Sequence, residues 1–309
     1  MSRVFLHLGA HKTATTFIQA NFIANRAALE AQGWKLLHPE SDNRAVRNCF
    51  LEMRKGHVLP ADAQKRLDDF FASIRAGSEN FFLSSEAILG AMSVKGSNGR
   101  IYPNHAAMLK IVTEALRNKD VAVGFCVRNF PDYLESSYSW LVMRGATYDF
   151  QRYVRDVFVA KLTWLPIVEN MIETLGEERV HLWTYEDFKT NPAGSVIAIM
   201  NAARIDSSNL AIAVKEPRNV SVPPDTNPVA VLWNKVLKTR NTLPKKRQQA
   251  LRMEMQKTLA KVSRPAGMKR LLSKERRAEL TASYEKEIAI MRERWPKAMA
   301  TLPRDLSES

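Results

Sequence analysis

The sequence predicts an α/β fold: a doubly wound parallel sheet with helices on both faces, followed by a mainly helical C-terminal region. Three observations carry this. Short apolar segments, at Val4 to Leu8, Phe81 to Leu83, Val121 to Val127 and Arg179 to Trp183, alternate with longer stretches of helical spacing, the order that strands and crossover helices take in a parallel sheet. The segment at Val121 is continuously apolar, as a strand buried on both faces requires. The chain has 309 residues with 45% hydrophobic content, enough for one large α/β domain or two modest ones.

The elements follow in order. After the first strand, Phe17, Ile18, Phe22, Ile23 and Leu29 mark a helix over Thr15 to Gln32. A polar, helical stretch ending near Gly77 is long enough for the crossover that a parallel pair needs. The strand at Phe81 ends at Ser84-Ser85-Glu86, and Ala106 to Arg117 forms the helix before the strand that Arg128 terminates. Helical spacing resumes over Tyr133 to Met143 and again around Ser195 to Ala203. Two segments, Gly90 to Pro103 and Lys215 to Pro228, carry loop chemistry and are candidate lids. From Val229 onward the pattern is helical and rich in Lys and Arg, broken at Pro244 and at Pro265-Ala266-Gly267. The expected division is a core over residues 1–225 and a basic helical region over 226–309, packed on that core or forming an acceptor-side subdomain.

Composition excludes several classes. The longest apolar run falls far short of the roughly 20 residues a spanning helix requires. The N-terminus enters a strand at once, without a charged leader and apolar core, which points to a cytoplasmic protein. Two cysteines, Cys49 and Cys126, are too few for a disulfide framework. The net charge of +14 is concentrated: residues 215–300 hold 21 Lys and Arg against 8 Asp and Glu. Two readings of that excess stand, a solvated helical surface or a field that attracts an anionic partner.

The chemistry-bearing motif is the turn after the first strand, Phe5-Leu-His-Leu-Gly-Ala-His-Lys-Thr-Ala-Thr-Thr16. A turn between a buried strand and a helix N-terminus offers unpaired amides and the positive end of the helix dipole. Gly9 permits the turn, Lys12 adds a mobile charge, and Thr13, Thr15 and Thr16 add hydroxyls. The G-x-x-x-x-G-K-[ST] loop of nucleotide hydrolases is not matched, since His11 precedes Lys12.

His7-Leu-Gly-Ala-His-Lys-Thr-Ala-Thr-Thr-Phe-Ile-Gln19 resembles the 5′-phosphosulfate loop of PAPS-dependent sulfotransferases of the bacterial, carbohydrate-modifying kind, written H-x-G-x-x-K-T-G-T-T-x-L-Q. Ala14 stands where that pattern has Gly; a helical φ there would accommodate it with a small change in affinity. Arg128 to Tyr138 resembles the family's 3′-phosphate element, an Arg at a strand end followed eight residues later by Ser, here Ser136, with Ser137 adjacent. Arg218-Asn-Val-Ser221 is similar to the late loop that closes over the nucleotide, and reads equally as a polar turn. The resemblance reaches from about residue 4 to 225. It implies a P-loop-NTPase-like three-layer fold and in-line transfer of a sulfuryl group from PAPS to a hydroxyl or amine, leaving PAP, with no metal.

The implied donor site comprises Gly9, Ala10, Lys12, Thr13, Ala14, Thr15, Thr16, Arg128, Ser136 and Arg218. Lys12 would act on the departing phosphate. Glu86, at a strand end where crevices open in parallel sheets, is the candidate general base, with His11 and His105 in reserve; it reads also as a helix N-terminal acid. His7 reads as structural. The expected acceptor is a carbohydrate or glycolipid, possibly anionic, in a bacterial cytoplasm, with at most peripheral membrane contact and no specific nucleic acid. The alternatives are a P-loop-type small-molecule kinase or NTPase and a basic nucleic-acid-binding protein.

Overall fold

A computed structural model of the chain describes residues 1–38, 41–75, 77–90, 92, 97, 99–155, 157, 161–212, 227–239, 243–262 and 271–299. Five strands form one sheet: β1 (Arg3–His7), β2 (Trp34–Leu36), β3 (Asn80–Ser84), β4 (Asp120–Val127) and β5 (Val180–Thr184). Their order is β2-β3-β1-β4-β5 and every pair is parallel. The chain leaves β1 toward β2 and β3 on one side, then crosses to β4 and β5 on the other. A crevice therefore opens at the C-terminal ends of β1 and β4, where the connections diverge.

Helices α1 (Thr15–Ala24) and α2 (Arg26–Ala31) follow β1; α3 (Asp42–Arg54) and α4 (Pro60–Ile74) precede β3; α5 (His105–Ala115) leads into β4. Then come α6 (Phe130–Met143), α7 (Phe150–Val154) and α8 (Leu165–Leu175), and after β5 α9 (Tyr185–Thr190) and α10 (Pro192–Ala202). The C-terminal helices are α11 (Asn227–Thr239), α12 (Lys245–Val262), α13 (Lys274–Arg294) and α14 (Pro296–Met299).

Strand alternation divides the core into two layers. Val4 and Leu6 of β1 join Phe81, Leu83, Val123 and Phe125 in the larger cluster, covered by α3, α4, α5, α6, α8 and α13. Phe5 turns the other way, to Phe82, Ala122, Cys126 and Trp183 beneath α1 and α10. Gly124 makes that second layer possible: a Cβ there would lie 2.8 Å from the Trp183 ring. The result is a three-layer α/β fold around a central parallel sheet, as expected from the sequence.

Two local features differ from the expectation. Trp34-Lys35-Leu36 forms an edge strand that its three residues are too short to announce by pattern. The long first helix breaks at Asn25, whose amide group donates to the Asn21 and Ala211 carbonyls, both at 2.8 Å.

The C-terminal helix α13 is built into the main core. Leu280, Tyr284, Ile288 and Met291 are buried, and the Glu287 carboxylate accepts from the Trp164 amide at 2.8 Å. Arg277 pairs with Glu135 at 2.6 Å and with Asp132 at 2.8 Å, both on α6. The side chain of Glu135 is only 4% exposed, and it also accepts from the amides of Leu271 and Leu272 at 2.9 and 3.1 Å. Part of the C-terminal positive charge is thus structural, as Arg294 with Glu169 and Lys297 with Glu178 also illustrate.

Candidate functional site

The turn after β1 is tied to β4 by two amides, Leu8 to the Gly124 carbonyl at 2.9 Å and Ala10 to the Cys126 carbonyl at 3.2 Å. Beyond that point the backbone coils tightly: Gly9, Lys12 and Ala14 have φ of 20°, 71° and 62°. Ala14 is the residue before α1 and offers no side-chain cap. Helix N-termini normally receive a Ser, Thr, Asp or Asn oxygen there; this one leaves its first amides to whatever occupies the crevice. The left-handed backbone at Ala14 corrects the expectation of a helical φ. An L-residue there costs about 1–2 kcal/mol, which Gly would avoid.

Around Gly9 the polar atoms converge. A Cβ at Gly9 would meet His7 Nε2 at 3.1 Å, Thr15 Oγ1 at 3.3 Å and Thr13 Oγ1 at 3.4 Å. Of these, His7 Nε2 is buried without a hydrogen-bond partner among the described residues. His7 itself is fixed: its Nδ1 lies 2.7 Å from Ser84 Oγ, and its ring stacks on Trp183. Burial pushes its pKa down to about 3, so it is neutral. Gln19 on α1 and Asn43 on α3 both donate to the Ser84 carbonyl, joining the loop's helix to the end of β3.

His11 is held by a residue the sequence did not single out. The Tyr102 hydroxyl accepts from the His11 amide at 2.7 Å and lies 2.6 Å from His11 Nδ1. One hydroxyl thus bonds both the backbone and the ring of His11. Burial, with the Lys12 charge adding to it, lowers the His11 pKa to about 4. Tyr102 is fully buried and holds φ of 46°. Beside it, Tyr133 on α6 donates to the Met92 carbonyl at 3.0 Å.

Lys12 lies within electrostatic reach of both Glu86 and Arg128. Burial depresses the Lys12 pKa, Arg128 depresses it further, and Glu86 opposes both. Burial raises the pKa of Glu86, while the Thr15 hydroxyl and Lys12 draw it back. Arg128, the first residue after β4, donates to the Lys12 carbonyl, and its guanidinium lies over the Tyr185 ring at 4.2 Å from the centroid. Its own carbonyl accepts from Trp164 Nε1 at 2.9 Å. Both ends of Arg128 are therefore positioned, with Nε left buried and unpartnered among the described residues.

No protein-family model matches this sequence, and no curated protein matches it. Among solved structures the chain is similar to a sulfotransferase from Alicyclobacillus acidocaldarius, with a TM-score of 0.44 and 14% sequence identity, over 85% of this chain and 97% of that one. At that distance the chemistry has to be argued from this chain's own residues.

The remaining expected residues divide. Ser136 and Ser137 lie on α6 with buried hydroxyls; that of Ser136 has no hydrogen-bond partner among the described residues, and no hydrogen bond joins Ser136 to Arg128. Thr13 donates to the Ala10 carbonyl and so braces the turn, and Thr16 is exposed at the helix start. His105 begins α5, with Nδ1 2.9 Å from the Tyr102 carbonyl. Arg218, with almost all of the segment from 215 to 228, lies outside the described residues. Among the described residues no group of His, Cys, Asp and Glu is arranged to hold a metal, and no helix is long and apolar enough to cross a membrane. Tyr102, Tyr133, Tyr185 and Trp164 complete the site. Nothing in their spacing marks them; only the fold brings them to the crevice.

Proposed function

We propose that this chain is a sulfotransferase that moves a sulfuryl group from PAPS to a hydroxyl or amine of an acceptor. The observation that carries the reading is the juxtaposition of Lys12 and Glu86 over an uncapped helix N-terminus. The fit of an oxyanion donor is supported by two orphaned polar atoms: Arg128 Nε and Ser136 Oγ are buried without partners among the described residues. A phosphosulfate supplies acceptor oxygens for such groups, and a second phosphate suits a guanidinium. The donor, when bound, contributes an activated sulfur whose leaving group is a phosphate.

In this reading the amides at the start of α1 and the Thr15 and Thr16 hydroxyls bind the equatorial oxygens, and Lys12 neutralises charge developing on the departing phosphate. Glu86 takes the acceptor's proton as the new S–O or S–N bond forms and the S–O bond to the phosphate breaks. Its burial favours this role, because a carboxylate whose pKa is raised is a stronger base once ionised. His11 is anchored through Nδ1 to the Tyr102 hydroxyl, which leaves Nε2 as the ring atom for a ligand. Arg128 and Ser136 would hold the 3′-phosphate, with Arg128 exchanging part of its contact with the Lys12 carbonyl for the ligand. An acceptor among glycans or glycolipids, and a cytoplasmic setting, belong to the same proposal through the sequence resemblance alone.

Two measurements test it. Adenosine 3′,5′-bisphosphate should raise the melting temperature more than ATP with Mg²⁺, and Arg128→Ala with Ser136→Ala should abolish that preference. Greater stabilisation by ATP with Mg²⁺ would favour a kinase or NTPase instead. With labelled PAPS and a panel of oligosaccharides, lipids and phenols, Lys12→Ala should lose transfer by about a hundred-fold or more while remaining folded; turnover like the parent's would sink the assignment. Glu86→Gln retaining full kcat/KM would remove Glu86 as the base.

A further inference from the structure

Helix α11 is apolar on two faces. Its inner face seats Ala230, Val231 and Leu237 in the fold, and Asn234 donates from Nδ2 to the Val142 and Ala146 carbonyls at 2.7 and 2.9 Å. Its outer face carries Val229, Leu232 and Val236, which are 51%, 63% and 40% exposed. The spacing i, i+3, i+7 makes them one stripe. They and Met253 on α12 are four of the seven large hydrophobic side chains exposed among the described residues, so the exposure is concentrated. A helix hydrophobic all round is ordinarily buried; this one keeps an outer face without a partner among the described residues.

Charge surrounds the stripe. Residues 227–262 hold nine Lys and Arg and a single acid, Glu254. Lys235, Lys238, Lys246, Arg247 and Lys257 are exposed and make no ion pair among the described residues, unlike Arg276, Arg277 and Arg294 of α13. A cavity of about 330 Å³ opens next to the stripe, lined by Tyr138, Phe150, Val231, Leu232 and Leu271. Asp149 and Lys235 also line it, and the Asp149 carboxylate is already engaged by the Arg152 amide at 2.7 Å.

We propose that the outer face of α11, with the cavity beside Leu232 and the cations of α11 and α12, docks on an anionic lipid bilayer. Aliphatic side chains flanked by lysines are the composition of an interfacial helix: the apolar stripe enters the acyl boundary while the cations meet anionic headgroups. Nucleic acid fits less well, because Val, Leu and Met present no flat face for stacking on bases. An acidic protein would use the cations and leave the stripe in water. The inference concerns a surface made by α11 and α12, and does not depend on the reaction proposed above.

The experiment is co-sedimentation of the full chain with vesicles of phosphatidylcholine alone or with about one third phosphatidylglycerol. The chain should pellet with the anionic vesicles at low salt, and be released near 0.5 M salt, where the Debye length is only about 4 Å. Leu232→Asp with Val236→Asp should weaken binding by roughly ten-fold or more. Lys235→Ala with Lys238→Ala should weaken it by about five-fold per cation. All four positions are exposed, so melting temperatures should match the parent's and separate loss of docking from loss of fold. Failure to pellet at low salt, equal binding to neutral vesicles, or an aspartate pair that binds as the parent does would each overturn the proposal. So would binding of single-stranded DNA that survives the aspartate pair while vesicle binding is absent.

Discussion

Tyr102→Phe is the most informative single change, because it removes one oxygen and nothing else. That oxygen accepts from the His11 amide at 2.7 Å and lies 2.6 Å from His11 Nδ1, in a place where Tyr102 is fully buried and His11 only 8% exposed. With Phe, a buried N–H and a buried ring nitrogen both lose their partner, and each such loss costs about 1–3 kcal/mol. The left-handed backbone at residue 102 stays, now without the bonds that offset it. A loss of roughly 2–6 kcal/mol follows, a large share of the 5–15 kcal/mol that holds a typical domain. In a chain of this size the melting temperature should fall by roughly 4–24 °C. Calorimetric or urea unfolding reads that directly. Long-range ¹H–¹⁵N correlation of the imidazole reads the cause: one tautomer held by Tyr102 in the parent, and a mixture in the variant. Adenosine 3′,5′-bisphosphate should bind more weakly, since the loop that carries Lys12 loses its brace. A variant with unchanged melting temperature and an unchanged imidazole spectrum would refute the reasoning.

Ala14→Gly relieves the left-handed residue at the head of α1; after the entropy Gly loses on folding, a net gain of about 0.5–1 kcal/mol should appear as a small rise in melting temperature. Arg277→Ala removes the cation paired at 2.6 Å with the buried Glu135 and should cost about 3 kcal/mol. Because α13 shares the core, its unfolding in urea should remain one cooperative transition; two separated transitions would make residues 226–309 an independent unit. Acid should destabilise the protein through its neutral histidines. His7, His11 and His181 titrate at about 3, 4 and 4 in the fold, below the unfolded value near 6.5. The unfolded chain therefore binds more protons between those values, and stability falls as pH drops from about 6.5 toward 4. Glu86 and Glu287, whose pKa values are raised by burial, work in the opposite direction at the lower end. A melting temperature that is flat from pH 7 to 5 would contradict the burial of these rings.

Much of the architecture was legible without coordinates. Short continuous apolar runs rich in β-branched residues, such as Val121 to Val127, read as strands covered on both faces, and their alternation with helical stretches implies a parallel sheet. The turn from Gly9 to Thr16 was legible because its chemistry is local: glycine, lysine and three threonines at a strand-to-helix junction act within one turn of backbone. The edge strand at Trp34 was not, since three residues carry no period.

What the sequence could not supply is everything that depends on residues far apart meeting. Tyr102 reaches His11 across 91 positions, and Arg128 reaches the Lys12 carbonyl across 116. The balance on Glu86 is likewise a property of the fold, because desolvation depends on what surrounds the carboxyl. The backbone at Ala14 is a further case: the motif marks the position as one that prefers Gly, but only the tertiary structure gives the φ of 62° that makes the preference physical. The sequence alone determined that a turn carrying Gly9, Lys12 and three threonines follows the first strand of an α/β fold. The tertiary structure alone decided which side chains surround that turn, because their charges and hydrogen bonds act through space and not along the chain.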